Sequence, residues 1–212
     1  ADEFLVPQAP IAEVLGGLPA SLTSARVRPM EVLAGSGHAF KAFIPASGGR
    51  QALVRRIYPT FGMYLKGGFL SHVAGKLFVR TGLDGITIQI HNAFQDGQIL
   101  PDAAEPEQIA LAHCHAKSWA DWRAAYAFRL SKGSYRAELK PATRPEQGGM
   151  SLHDLFRWIE SDQGEAGLRA FYDEAVGDSP DLRARLEAHG LLRMVDLDLD
   201  GALARHFPDA AV

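Results

Sequence analysis

The run "QIALAHCHAKSWADWRAAYAFRLSKG" (108–133) changes its period in the middle. Residues 108–115 are short, apolar and suited to extended chain, so they read as a strand. Beyond them Trp119, Trp122, Tyr126 and Leu130 recur at steps of three and four and share one face of a helix. Ser118 and Asp121 stand at capping-box spacing at its start, and Gly133 is a plausible stop. A strand that runs almost directly into an amphipathic helix sets the class as α/β and divides the chain near His115.

The half before that point is Gly-rich and strand-like. Residues 25–33, 75–81 and 86–94 join 108–115 as expected strands, and Asp96-Gly97 is a short hairpin signal. Residues 10–19 read as a short helix, with Pro10 in its first turn and Gly16-Gly17 at its end. The half after it is helical. Helices are expected in "SLHDLFRWIESD", "GEAGLRAFYDEAV", "SPDLRARLEAHG" and "DLDGALARHF", behind a Pro/Gly-rich linker. The expected organisation is a mixed α/β body over 1–139, a linker over 140–150 and a helical C-terminal region over 151–212.

Composition narrows the function classes. The 212 residues are 47% hydrophobic and carry a net charge of −3, which suits a globular core and argues against nucleic acid as the partner. The lone Cys114 excludes an internal disulfide and a cysteine-based zinc cluster. No apolar run is long enough for a bilayer span, and the start lacks a signal-peptide pattern. The expected location is therefore cytoplasmic.

Several residue groups could carry chemistry. Asp2 and Glu3 precede the apolar run "FLV", where a strand end could hold a hard cation, or they are solvated residues of a terminus. His113 and His115 lie two apart, so in a strand they point the same way. They chelate a metal together, or one is a core residue and the other a surface one. Lys117 and the helix start behind it would suit an anion. Gly35, Ser36, Gly37 and His38 form a turn that lets backbone approach a ligand, or a plain loop. Lys76 and His91 fall on adjacent expected strands. The stretch 117–144 holds seven Lys and Arg against Asp121 and Glu138. That excess fits a solvated helix face, an anionic substrate or peripheral contact with a membrane surface. No nucleophile elbow, Walker A loop or H-E-x-x-H pattern is present.

Taken in order, "ADEFLV", "GSGHAF", "GKLFVRT", "IQIHNAF" and "AHCHAKSWADWRAAYAFRLSKGSY" resemble the later part of bacterial family 2-like glycosyltransferases with the GT-A fold. The resemblance runs from residue 2 to about 136. It implies a Rossmann-related mixed sheet, incomplete at the N-terminus because the D-x-D metal motif would be entered at its second Asp. It implies a divalent cofactor, Mn²⁺ or Mg²⁺, with Asp2, His113 and His115 as its ligands. Lys117 and Lys76 would then hold the donor phosphates, and Gly35, Ser36, Gly37, His38 and His91 would face the acceptor. The implied substrates are a nucleotide-sugar donor and a sugar or glycan-like acceptor. No motif supplies a catalytic base. Two other readings remain: a non-catalytic binding module with the same fold, and a metal-dependent hydrolase built on His113 and His115.

Overall fold

The computed structural model describes residues 2–101 and 104–210. Its elements in chain order are β1 (Glu3–Pro7), α1 (Ile11–Gly16), β2 (Ser24–Val27), β3 (Pro29–Val32), β4 (Ala39–Ala42), α2 (Arg50–Ile57), β5 (Lys76–Val79), β6 (Ile86–Ile88), β7 (Ala93–Gln95), β8 (Gln98–Ile99) and β9 (Ile109–His113). The second half adds α3 (Trp119–Ser131), α4 (Leu152–Asp162), α5 (Gly164–Ala175), α6 (Pro180–Ala188), β10 (Leu192–Met194) and α7 (Leu199–His206).

A mixed five-stranded sheet of order β1-β9-β3-β4-β10 organises the chain. β9 runs antiparallel to β1 and parallel to β3, while β4 is antiparallel to both β3 and β10. The register sets Glu3 opposite His113, His113 opposite Glu31 and Glu31 opposite Lys41. Residues directly opposite on paired strands share a face. Four strands therefore contribute one polar row to the same side of the sheet. The other side is apolar: Met30, Val32, Phe40 and Ala112 form a cluster with Phe4 and Val6, against which Val195 and Leu197 pack.

Sequence expectation and structure part at three places. The run 25–33 is two strands, because β2 leaves the main sheet to pair with β5 while β3 stays in it. The run 86–94 is also divided: β6 and β7 pair as a hairpin closed by the Gln89 amide donating to the Asn92 carbonyl. The C-terminal region is not purely helical, since β10 returns to extend the sheet alongside β4. The Asp96-Gly97 hairpin does form between β7 and β8, with both residues at positive φ as a tight two-residue turn requires. Ser118, Ser151 and Ser179 each cap a helix by accepting a bond from the backbone three residues on.

Both sequence halves contribute to one principal core. The fully buried Trp122 of α3 packs against Phe156 of α4 and Phe171 and Tyr172 of α5, and its indole N–H donates to the Tyr135 hydroxyl at 3.1 Å. A large apolar side chain buried in this way contributes about 1.5–3 kcal/mol. Thr143, in the Pro/Gly-rich stretch, is buried, and its hydroxyl donates to the Met63 carbonyl at 2.6 Å. No helix among the described residues is long and apolar enough to cross a membrane.

Gly75 ends the segment that leads into β5. It sits at φ +71°, and a Cβ there would lie 2.0 Å from the Val27 carbonyl oxygen. A Gly75→Ala substitution is therefore expected to destabilise the fold by about 2 kcal/mol or more. A urea unfolding curve with a lowered midpoint and unchanged slope would show it.

Candidate metal centre

At the end of the polar row, Glu3, His72 and His113 bring three metal-ligand atoms within 4.8 Å of one another. Two of the three come from the register of β1 and β9. The third comes from the segment between α2 and β5, which has no regular element around residue 72. That segment is strapped beneath the sheet by Glu31. Its carboxylate accepts from the Leu70 amide at 3.1 Å and from the Ser71 amide at 2.8 Å. Ser71 in turn meets Nδ1 of His113 at 3.0 Å through its hydroxyl. His113 thus has one ring nitrogen held by a neighbour, and its Nε2 lies 3.6 Å from Oδ2 of Asp2. A ligating imidazole is ordinarily oriented in this way, by a hydrogen bond to its other nitrogen.

Glu3 is shared. Oε1 lies 3.0 Å from Nε2 of His72, and Oε2 lies 2.9 Å from the Lys76 ammonium. Burial pushes the Glu3 carboxyl up, but Lys76 and His72 together outweigh it and hold the group below the ordinary carboxylate range. Burial, with the neighbouring His91, pushes the His72 imidazole down, so the ring is neutral at neutral pH. A neutral imidazole beside an ionised carboxylate is the protonation state that metal ligation needs. His72 Nδ1 is buried with no hydrogen-bond partner among the described residues.

Two neighbours complete the surroundings. The His91 ring lies tilted against His72 at 4.2 Å between centroids, and its Nδ1–H donates to the Gly75 carbonyl at 2.9 Å. Arg26, almost fully buried, donates to the carbonyls of Ala74 and His91 at 2.8 and 2.9 Å. One guanidinium thereby fixes both loops that carry histidines. Beside them opens a cleft of about 620 Å³, with Ser71, His72 and His91 in its wall.

The structure draws some of the expected residues together and leaves others apart. His113, Lys76 and His91 join the cluster, and Asp2 borders it with a mostly exposed side chain. His115 is placed differently: its ring is buried beside Glu31, with Nδ1 3.7 Å from Oε1, outside the Glu3–His72–His113 group. Lys117 is exposed and lies near Cys114, whose thiol burial pushes up, away from reactivity. The Gly35–His38 turn stands apart from the cluster. Its Ser36 hydroxyl accepts from Arg183 and from the turn's own amides, and His38 gives its carbonyl to Val195. Sequence reasoning missed His72, Glu31 and Arg26. The Gly-rich surroundings of His72 hid its role, although Lys76 four residues on was singled out.

Deeper in the row, Glu31 and Lys41 are both fully buried and pair at 2.9 Å. The Lys41 ammonium also donates to the Ala175 carbonyl at the end of α5 at 2.6 Å. Burial pushes Glu31 up, but Lys41, His115 and Ser71 outweigh it and hold the carboxyl far below its usual range. Burial takes His115 down to about 4, against the opposing pull of Glu31. The unfolded chain then takes up a proton near pH 6.5 that the folded chain refuses until about pH 4. Stability should accordingly fall as pH drops from 6.5 through 4, by a His115 contribution on the order of 3 kcal/mol. Urea midpoints in chelator at neutral and acid pH check this, and a His115→Gln variant should lose that part of the slope.

The donor set has a definite chemical preference. Two imidazoles and a carboxylate suit Mn²⁺, Fe²⁺ or Zn²⁺ better than Mg²⁺ or Ca²⁺, which favour oxygen alone. No family model, no curated protein and no solved structure matches this chain.

Proposed function

We propose that this chain carries the acceptor-side site of a metal-dependent glycosyltransferase, which moves a sugar from a nucleotide-sugar donor to a glycan-like acceptor. One observation carries the reading. Of the five sequence motifs behind the resemblance, four contribute side chains to a single cluster: Glu3, Lys76, His91 and His113. Motifs more than a hundred residues apart in sequence converge as a donor-binding centre would need them to. A divalent ion bound by Glu3, His72 and His113 would neutralise the charge that grows on the departing diphosphate.

The chain's own residues have distinct tasks in this scheme. Glu3 holds Lys76 at the edge of the cluster, where its ammonium can meet a phosphate oxygen. Lys117, exposed beyond β9, offers a second positive charge on the same end of the sheet. Ser71 orients His113, and Arg26 holds the His91 loop against His72. The two histidines border the cleft, so an acceptor hydroxyl placed there would lie next to the metal ligands.

Calorimetry with Mn²⁺ and a panel of nucleoside diphosphates tests the reading. Binding of UDP or GDP that requires Mn²⁺ and disappears in His113→Ala is the expected result. Absence of any such binding would favour a non-catalytic module of glycosyltransferase-like fold.

A further inference from the structure

The 620 Å³ cleft beside His72 and His91 has an unusual charge balance. The whole chain carries 22 Lys and Arg against 25 Asp and Glu. The cleft wall reverses this: Lys66, Arg136 and Lys140 line it, and among the described residues no Asp or Glu does. Lys66 and Lys140 are exposed and enter no ion pair among the described residues. Arg136 meets Glu138 at 3.7 Å, an exposed pair that water and salt largely screen. Arg136 and Lys140 also belong to the basic stretch that sequence composition singled out. In the fold, part of that stretch lines the same cleft as His72 and His91.

Three like charges around one concavity repel each other, and their field attracts an anion. The size suits a sugar-sized to disaccharide-sized ligand. The rest of the wall is apolar or hydroxylic, with Leu139, Pro141, Tyr64 and Ser134. We propose that this cleft is the acceptor subsite and that it takes a glycan-like acceptor bearing an anionic group, a phosphate or a carboxylate. The term acceptor rests on the glycosyl-transfer reading. The preference for an anion rests on the cleft alone. Lys66, Arg136 and Lys140 hold the anionic group, and the sugar body extends toward His72 and His91.

Glucose 6-phosphate, glucuronate and neutral glucose are suitable probes, titrated into the whole chain in chelator and in diamagnetic Zn²⁺. Imidazole and amide resonances report the site. The anionic sugars are expected to shift His91 and the amides of 64–74 and 134–142, and to bind about tenfold or more tightly than glucose. The double variant Lys66→Glu/Lys140→Glu should weaken the anionic sugars by about tenfold or more while Mn²⁺ affinity is retained. Equal binding of glucose, or anion affinity unchanged by the double variant, would overturn the proposal. So would shifts confined to Lys76 and Lys117, which would mark the anion as a mimic of donor phosphate. UDP with Mn²⁺ is titrated in parallel. If it binds while the anionic sugars do not, the acceptor proposal fails and the transferase reading stands. If the anionic sugars bind but UDP with Mn²⁺ does not, the anion preference stands and the transferase reading fails.

Discussion

Replacing Glu31 with alanine should cost the fold about 3–5 kcal/mol. The substitution leaves the Lys41 ammonium buried without its carboxylate, and it also strips the Leu70 and Ser71 amides of their acceptor. Against a typical total of about 5–15 kcal/mol, that is a large share. The size separates two effects. A Glu31→Gln/Lys41→Met double variant removes both charges and keeps an acceptor near the amides, so it should recover a good part of the loss. Chemical denaturation of the three variants measures this. Because Glu31 straps the segment bearing His72, Glu31→Ala should also weaken metal binding, although Glu31 belongs to no ligand set described above. A Glu31→Ala protein as stable as the parent would mean that the buried pair contributes nothing beyond its own desolvation cost.

Removing a side chain from the candidate metal centre should have the second large effect. His72→Ala and His113→Ala are each expected to lower affinity for Mn²⁺ or Zn²⁺ by about a hundredfold or more, with little change in affinity at other sites. Asp2→Asn should do far less, because the Asp2 side chain is 67% exposed and 3.6 Å from His113. This ranking keeps His113 but otherwise departs from the one implied by the sequence resemblance, in which Asp2 and His115 are its fellow ligands and His72 has no part. Titration calorimetry of the parent, His72→Ala, His113→Ala and Asp2→Asn decides between them. His38→Ala serves as the reference, since His38 lies in the turn that packs against Val195 rather than in the cluster.

The sequence disclosed its regular elements better than its site. The caps at Ser118, Ser151 and Ser179, the Asp96-Gly97 turn and the face of α3 are local signals, and local chemistry sets them. The breaks within 25–33 and 86–94 are not local. Which sheet each half joins depends on β5 and on the grip of Arg26, and both come from elsewhere in the chain. Return of β10 to the sheet follows from docking against β4, and three residues carry too little pattern to announce it.

The site shows the same division. Glu3 and His113 could be singled out because each sits in a recognisable motif. Glu31 and Lys41 occupy strand positions where a charge ordinarily faces water, and only the register of β3 with β4 turns them into a buried pair. His72 lies in a segment without periodicity, and its position is set by two amides bonding to a carboxylate about forty residues away. Tertiary pairing, not local composition, makes the centre.

Glu3, His72 and His113 are proposed to bind one divalent transition metal. Zn²⁺ titration of the whole chain, followed through the histidine ring nitrogens by NMR, tests it most directly. Saturation is expected at about one equivalent, with the ring resonances of His72 and His113 shifting together and those of His38 and His153 unmoved. Failure to saturate, or shifts that fall on His38 or His153 while His72 stays in place, would contradict it.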